Sequence, residues 1–139
     1  MFSIKKVANL KKIILISTIS VFTLALIFFL YSLFVIYKDV KVACLKAQKE
    51  YKENCVNSLT RLVQSNEKTF RERNTAIWAL GQLADSQALP VLNSYYTGIV
   101  PPKEAFDKAL SQYELKKAIK WCEQGNATSW MYRNRESWR

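Results

Sequence analysis

Three cysteines, Cys44, Cys55 and Cys122, are the most reactive side chains in a chain of 139 residues that contains no histidine. Without histidine, Ser-His and Cys-His nucleophilic arrangements are excluded, as are imidazole-held zinc or iron sites. The cysteines form no C-x-x-C pair, and three thiolates alone make a poor structural zinc site. The three glycines, Gly81, Gly98 and Gly125, are too scattered to cradle a phosphate. Pairing or burial is what remains for the thiols. Cys55 and Cys122 fall on apolar faces, where free cysteine packs as a small hydrophobe. In an oxidising compartment those two can instead form a disulfide that clasps the first and last helices, leaving Cys44 to link two copies. This inventory implies no catalytic residue, metal ligand, cofactor or small-molecule substrate.

The remaining chemistry is recognition. Arg71, Arg73 and Trp78 are candidate partner-binding residues, because tryptophan and arginine are enriched where interfaces are strongest. Their plainer roles are rim packing and surface ion pairs. The tail interleaves Trp130, Tyr132 and Trp138 with Arg133, Arg135 and Arg139. It reads either as a frayed terminus or as a segment that sets aromatic rings at a lipid interface with arginine on phosphate.

A lipid surface enters through the segment Ile13 to Tyr37, which carries no charge. At about 1.5 Å per residue such a helix exceeds the ~30 Å hydrocarbon core of a bilayer. Lys11 and Lys12 close it on one side and Lys38 and Lys41 on the other, with Tyr37 at the far interface. A cleaved signal has a shorter apolar core that ends in small residues, whereas this run ends in Phe34-Val35-Ile36-Tyr37. The expectation is an uncleaved single-pass anchor, of bacterial inner-membrane type. The arm with Lys5, Lys6, Lys11 and Lys12 should stay in the cytoplasm and the rest should lie outside it. Basic flanks beside a span attract anionic headgroups, which accounts for the net charge of +10 without nucleic acid. No nucleic-acid-binding motif is present.

Beyond Lys38 the apolar spacing is helical throughout. A helix leaves the membrane and breaks near Asn54, and a second runs to about Gln64. Thr69-Phe70-Arg71-Glu72 is a capping box that opens a helix over Phe70–Ala84. Asp85 and Ser86 cap the next, with Pro90 in its first turn and Gly98 at its end. After Pro101-Pro102 a last helix is expected over Lys103–Cys122, stopped by Gly125. The domains are then a basic arm 1–12, a transmembrane helix 13–37, a juxtamembrane basic helix 38–53, a helical module 54–124 and an aromatic, basic tail 125–139.

Within the module, Cys55–Val63 aligns with Ala88–Tyr96, and Ala76–Gly81 with Phe106–Ser111, at roughly thirty residues, a spacing typical of stacked helix pairs. The segment from Arg71 to Leu92 resembles a HEAT-type repeat of the phycobilisome-lyase class. Ala76, Ala79, Leu80, Gly81, Leu83, Asp85, Ala88, Pro90 and Leu92 fit that unit, and Arg73 stands in for its arginine. One full repeat, 71–97, is covered. The resemblance implies a short α-solenoid of antiparallel helices used mainly to bind proteins. A few relatives attach bilin pigments, chemistry for which this chain offers only the fold.

The fold class expected is therefore all-α, one transmembrane helix followed by a short HEAT-like solenoid. The expected function is a non-catalytic, membrane-anchored interaction module, an adaptor or assembly factor. The alternatives are an accessory subunit of a larger membrane complex and, third, an enzyme. Solenoids need about three repeats to bury a continuous core, so an unidentified partner or self-association is expected to complete the stack.

Overall fold

An apolar stretch satisfies its backbone most economically as a helix, and α1 (Phe2–Tyr51) is continuous. The structure is a computed structural model describing residues 2–138, with side chains from Asn9 onward; expectations for the side chains of Lys5, Lys6 and Arg139 lie outside the described residues. The chain divides into two compact units, Met1–Ile36 and Tyr37–Arg139. Among the described residues there is no strand.

The first unit is the leading part of α1. Its apolar window is long enough to cross a membrane, and none of it is buried within the protein. Phe22 and Phe28 are 71% and 73% exposed. Three of its hydroxyls are satisfied locally. Thr18 donates to the Ile14 carbonyl at 3.0 Å, Thr23 to Ile19 at 2.8 Å and Ser32 to Phe28 at 2.9 Å. Each therefore needs nothing from its surroundings.

In the second unit the end of α1 buries Val40, Cys44 and Ala47, one stripe at helical spacing. Lys52 takes a left-handed conformation (φ 57°) and turns the chain. Asn54 then caps α2 (Cys55–Gln64), accepting from the Asn57 amide. Thr69 and Glu72 form the capping box of α3 (Phe70–Leu83), which ends at left-handed Ala84. A 3-10 turn, Ser86–Ala88, capped by Asp85, leads into α4 (Leu89–Tyr95) with Pro90 in its first turn. Last come α5 (Gln112–Gln124), closed by Gly125, and two 3-10 turns, Ser129–Tyr132 and Arg135–Ser137.

Helix α3 sits centrally. It runs against α2, since Arg73 near its start reaches the Val63 carbonyl near the end of α2. It runs with α5: Asn74 meets Ser111, Gly81 meets Ala118 and Gln82 meets Asn126. Two ion pairs tie α1 to this core, Lys46–Glu72 at 3.1 Å and Lys68–Glu50 at 2.8 Å. The Glu50 carboxylate raises the Lys68 pKa, and the hydrogen bonds from Lys46 and Thr69 lower that of Glu72.

Three expectations are corrected. The disulfide joins Cys44 to Cys55, not Cys55 to Cys122. The turn at Lys52 folds the start of α2 onto α1 and brings the two Cα atoms to 5.0 Å. Cys122 is a free, buried thiol on α5, 3.7 Å from the Leu80 carbonyl, and burial pushes its pKa up to about 11. The last helix begins at Gln112 rather than Lys103, so Ala105, Phe106 and Ala109 are exposed residues of the loop before it. The tail is part of the fold and not a separate segment, as its aromatic side chains show.

Tyr132 and Trp138 are buried, and with Tyr37 they form a cluster. Tyr37 stacks on Tyr132 at 6.1 Å between ring centroids, and Trp138 meets both edge-on at 5.7 and 6.2 Å. Lys41 lies over the Trp138 ring at 5.8 Å. Tyr132 and Trp138 therefore do not face lipid headgroups: the 3-10 turns swing them onto α1, where aromatic burial outweighs interface solvation. Trp130 remains 60% exposed, and Lys11, Lys12 and Lys38 are exposed. Arg135 pairs with Asp85, fastening the tail beyond the end of α3.

The Tyr132 hydroxyl is buried without a hydrogen-bond partner, and burial raises its pKa from 10.0 to about 12. Unfolded tyrosine ionises near 10, while the folded one keeps its proton to about 12. Stability is thus independent of this ionisation below pH 10 and falls as pH climbs from 10 towards 12, where the unfolded chain gives up the proton first. Tyr132→Phe should raise stability by about 1 kcal/mol at neutral pH, because a buried unpaired hydroxyl disappears. It should also flatten the alkaline limb of a melting-temperature profile.

Candidate functional site

Arg71, Thr75 and Trp78 recur at helical spacing along one face of α3 and line one wall of an open groove of about 600 Å³. Phe106 and Asp107, from the segment between α4 and α5, and Glu114, from the first turn of α5, complete its lining. Trp78 is half-buried and Arg71 exposed, and among the described residues neither Arg71 nor Asp107 makes an ion pair. Two of the three residues singled out for partner binding are therefore brought together.

The third is not. Arg73 is buried, its Nε donates to the Val63 carbonyl at 2.7 Å, and its guanidinium lies 5.5 Å from the Tyr95 ring and 5.7 Å from that of Phe70. It ties the carbonyl end of α2 to α3 and α4, a cation at the negative end of a helix. Its assignment as a partner-binding residue is corrected for that reason: the charged head is already engaged inside the fold.

Residues not marked out from sequence hold the segment before α5. The Asn74 amide donates to the Phe106 and Ala109 carbonyls at 2.9 and 3.0 Å and accepts from the Ser111 amide at 2.8 Å. Glu104 accepts from the amides of Gln112 at 2.6 Å and Tyr113 at 3.1 Å, and from the Ser111 hydroxyl. Several backbone groups that a helix over residues 103–111 would pair with one another are thus satisfied by side chains, and the segment keeps only a single turn, where the Lys108 and Ala109 amides donate to the Ala105 carbonyl. One signal was available: Ser111-Gln112-Tyr113-Glu114 has the S-x-x-E form of a helix start, and Ser111 does cap α5. Asn74→Ala should cost about 2 kcal/mol by leaving three backbone groups short of partners. It should also speed amide hydrogen exchange over residues 104–111 well before the rest of the unit responds, as exchange mass spectrometry can read.

Chemically the groove offers aromatic faces, one guanidinium and two carboxylates. The hydroxyl of Thr75 is committed to the Arg71 carbonyl at 2.9 Å, and the Asn74 amide is fully used. Among the described residues no group of histidine, cysteine and acidic side chains is placed to hold a metal ion. No protein-family model, curated protein or solved structure matches the chain.

Proposed function

We propose that the protein is a non-catalytic, single-pass membrane-anchored interaction module, HEAT-like in the Tyr37–Arg139 unit, which holds a partner protein at the membrane as an adaptor or assembly factor. The observation that carries this reading is the groove itself. It joins a half-buried tryptophan to unpaired opposite charges, the surface composition of an energetic anchor point. The HEAT-like aspect is supported by two successive helix pairs, α2–α3 and α4–α5, whose second members lie side by side in the same sense. The close passage of Gly81 against Ala118 supports it too. Anchoring is supported by the unburied apolar length of α1. An extracytoplasmic position for Tyr37–Arg139 is supported by the Cys44–Cys55 bond, since disulfides persist in oxidising compartments.

The test is a photo-crosslinking amino acid at Thr75 in the full chain, activated in native membranes. Discrete protein adducts that disappear with Trp78→Ala are expected. An absence of adducts, or adducts indifferent to Trp78, argues against the reading. Exchanging residues 13–36 for an unrelated apolar helix separates an adaptor, which keeps its adducts, from an accessory subunit held through its span, which loses them.

A further inference from the structure

We propose that the groove receives a basic side chain, arginine before lysine, from the partner segment, and that Glu114 is its acceptor. The inference deepens, and rests on, the reading of the groove as a partner surface. Glu114 has two differently placed oxygens. Oε1 accepts from Lys117 Nζ at 2.7 Å, and that ammonium also lies over the Tyr113 and Trp121 rings at 5.1 and 5.3 Å. Oε2 is buried and has no hydrogen-bond partner. Leaving a buried acceptor unpaired is costly, more so when it belongs to a carboxylate.

No side chain lining the groove donates to it in the structure. The Asn74 donors are spent on carbonyls, and the Thr75 hydroxyl is spent on its own helix. An incoming group that brings a donor would satisfy it. Trp78 and Phe106 supply aromatic surface to the lining, and Asp107 adds a second negative charge without a counter-ion. A planar guanidinium suits this surface, because it can lie on an aromatic face while its N–H fork points at a carboxylate. An acidic side chain would meet two carboxylates as well as Arg71, and an aliphatic one would leave Oε2 unpaired. Arg71, the one cation lining the groove, remains free for a carbonyl or carboxylate elsewhere on the same segment.

The full chain in lipid nanodiscs, labelled at the tryptophan indole nitrogen, provides the readout by NMR. The probe is the blocked tripeptide Leu-Arg-Leu, with Leu-citrulline-Leu and Leu-Glu-Leu as neutral and acidic counterparts. The Trp78 indole resonance, identified through Trp78→Phe, should shift saturably with the arginine probe. It should bind the citrulline probe roughly tenfold more weakly, the difference expected of a charge-assisted bond. Glu114→Gln should raise the Kd for the arginine probe by a similar factor, and Asp107→Asn, on an exposed loop, should raise it severalfold while leaving the fold untouched. Equal shifts with citrulline, a preference for Leu-Glu-Leu, no shift at Trp78, or a Kd unmoved in both variants would each overturn the proposal. Adducts at Thr75 without an arginine preference defeat this inference alone. An arginine-specific shift without adducts in membranes defeats the interaction reading instead.

Discussion

Replacing Gly81 with valine is expected to destabilise the Tyr37–Arg139 unit by about 3 kcal/mol, the upper range for forcing volume into a packed seam. The change should lower its melting temperature by roughly 15 °C. In an ordinary exposed helix the substitution of a central glycine would be favourable, by up to about 1 kcal/mol for alanine. Here the sign reverses. A Cβ at Gly81 would stand 2.9 Å from the Cα of Ala118 and 3.2 Å from the Trp121 ring. The nearest atom is backbone, so no side-chain rotation relieves the overlap and α5 must move as a body. Gly81→Ala should therefore also destabilise, by about 1 kcal/mol net, since the helix-propensity gain offsets part of the clash. Thermal melts of the two variants in one detergent would check the order. A Gly81→Ala protein more stable than the parent would mean that α3 and α5 are not in contact at this point.

Reduction of the Cys44–Cys55 bond should cost about 3 kcal/mol, the chain-entropy value for a loop of this size, the cysteines being separated by 11 in sequence. Removing both thiols as Cys44→Ser with Cys55→Ser should cost at least as much, because two buried apolar sulfurs are replaced by hydroxyls. The third cysteine gives the assay. Buried and with its pKa at about 11, Cys122 should resist alkylation until the unit opens. Denatured but unreduced protein should therefore take up a single alkyl group, and reduced protein three. The rate at which Cys122 labels in mild denaturant should rise sharply on adding reductant. Uptake of three groups without reductant would place the chain in a reducing compartment and remove the bond from the native account.

What could be read from sequence was local. The Thr69–Glu72 capping box, Pro90 in the first turn of α4 and Gly125 at the end of α5 depend on neighbours three or four residues away, and all three stand as expected. The break between α1 and α2 was legible for the same reason. Long-range partners were not. Arg73 looks like any surface arginine until the Val63 carbonyl is set beside it. Asn74 is an unremarkable polar residue in a helix, yet its amide takes up three backbone groups of residues 103–111, which form a single turn where the apolar spacing reads as helix. The cysteine pairing turned on whether α2 folds back on α1, which composition does not encode. In the tail, Tyr132 and Trp138 follow no helical or strand period because 3-10 turns place them, and only the Tyr37 ring they pack on explains their burial. Of the groove, Arg71 and Trp78 were visible as types; Glu114, Phe106 and Asp107 became lining residues only once the loop was fixed.

The covalent link between Cys44 and Cys55 also sets a load path. Tension drawn along α1 enters the Tyr37–Arg139 unit at Tyr37, and with the two sulfurs joined it crosses directly into α2. Residues 45–54, including the left-handed turn at Lys52, then bear none of it. When the sulfurs are apart the same pull runs through that turn, and it is opposed by the packing of Val40, Cys44 and Ala47 and by the Lys46–Glu72 and Lys68–Glu50 pairs instead of by a bond. Mechanical resistance at this joint is thus governed by the redox state of the fluid around it.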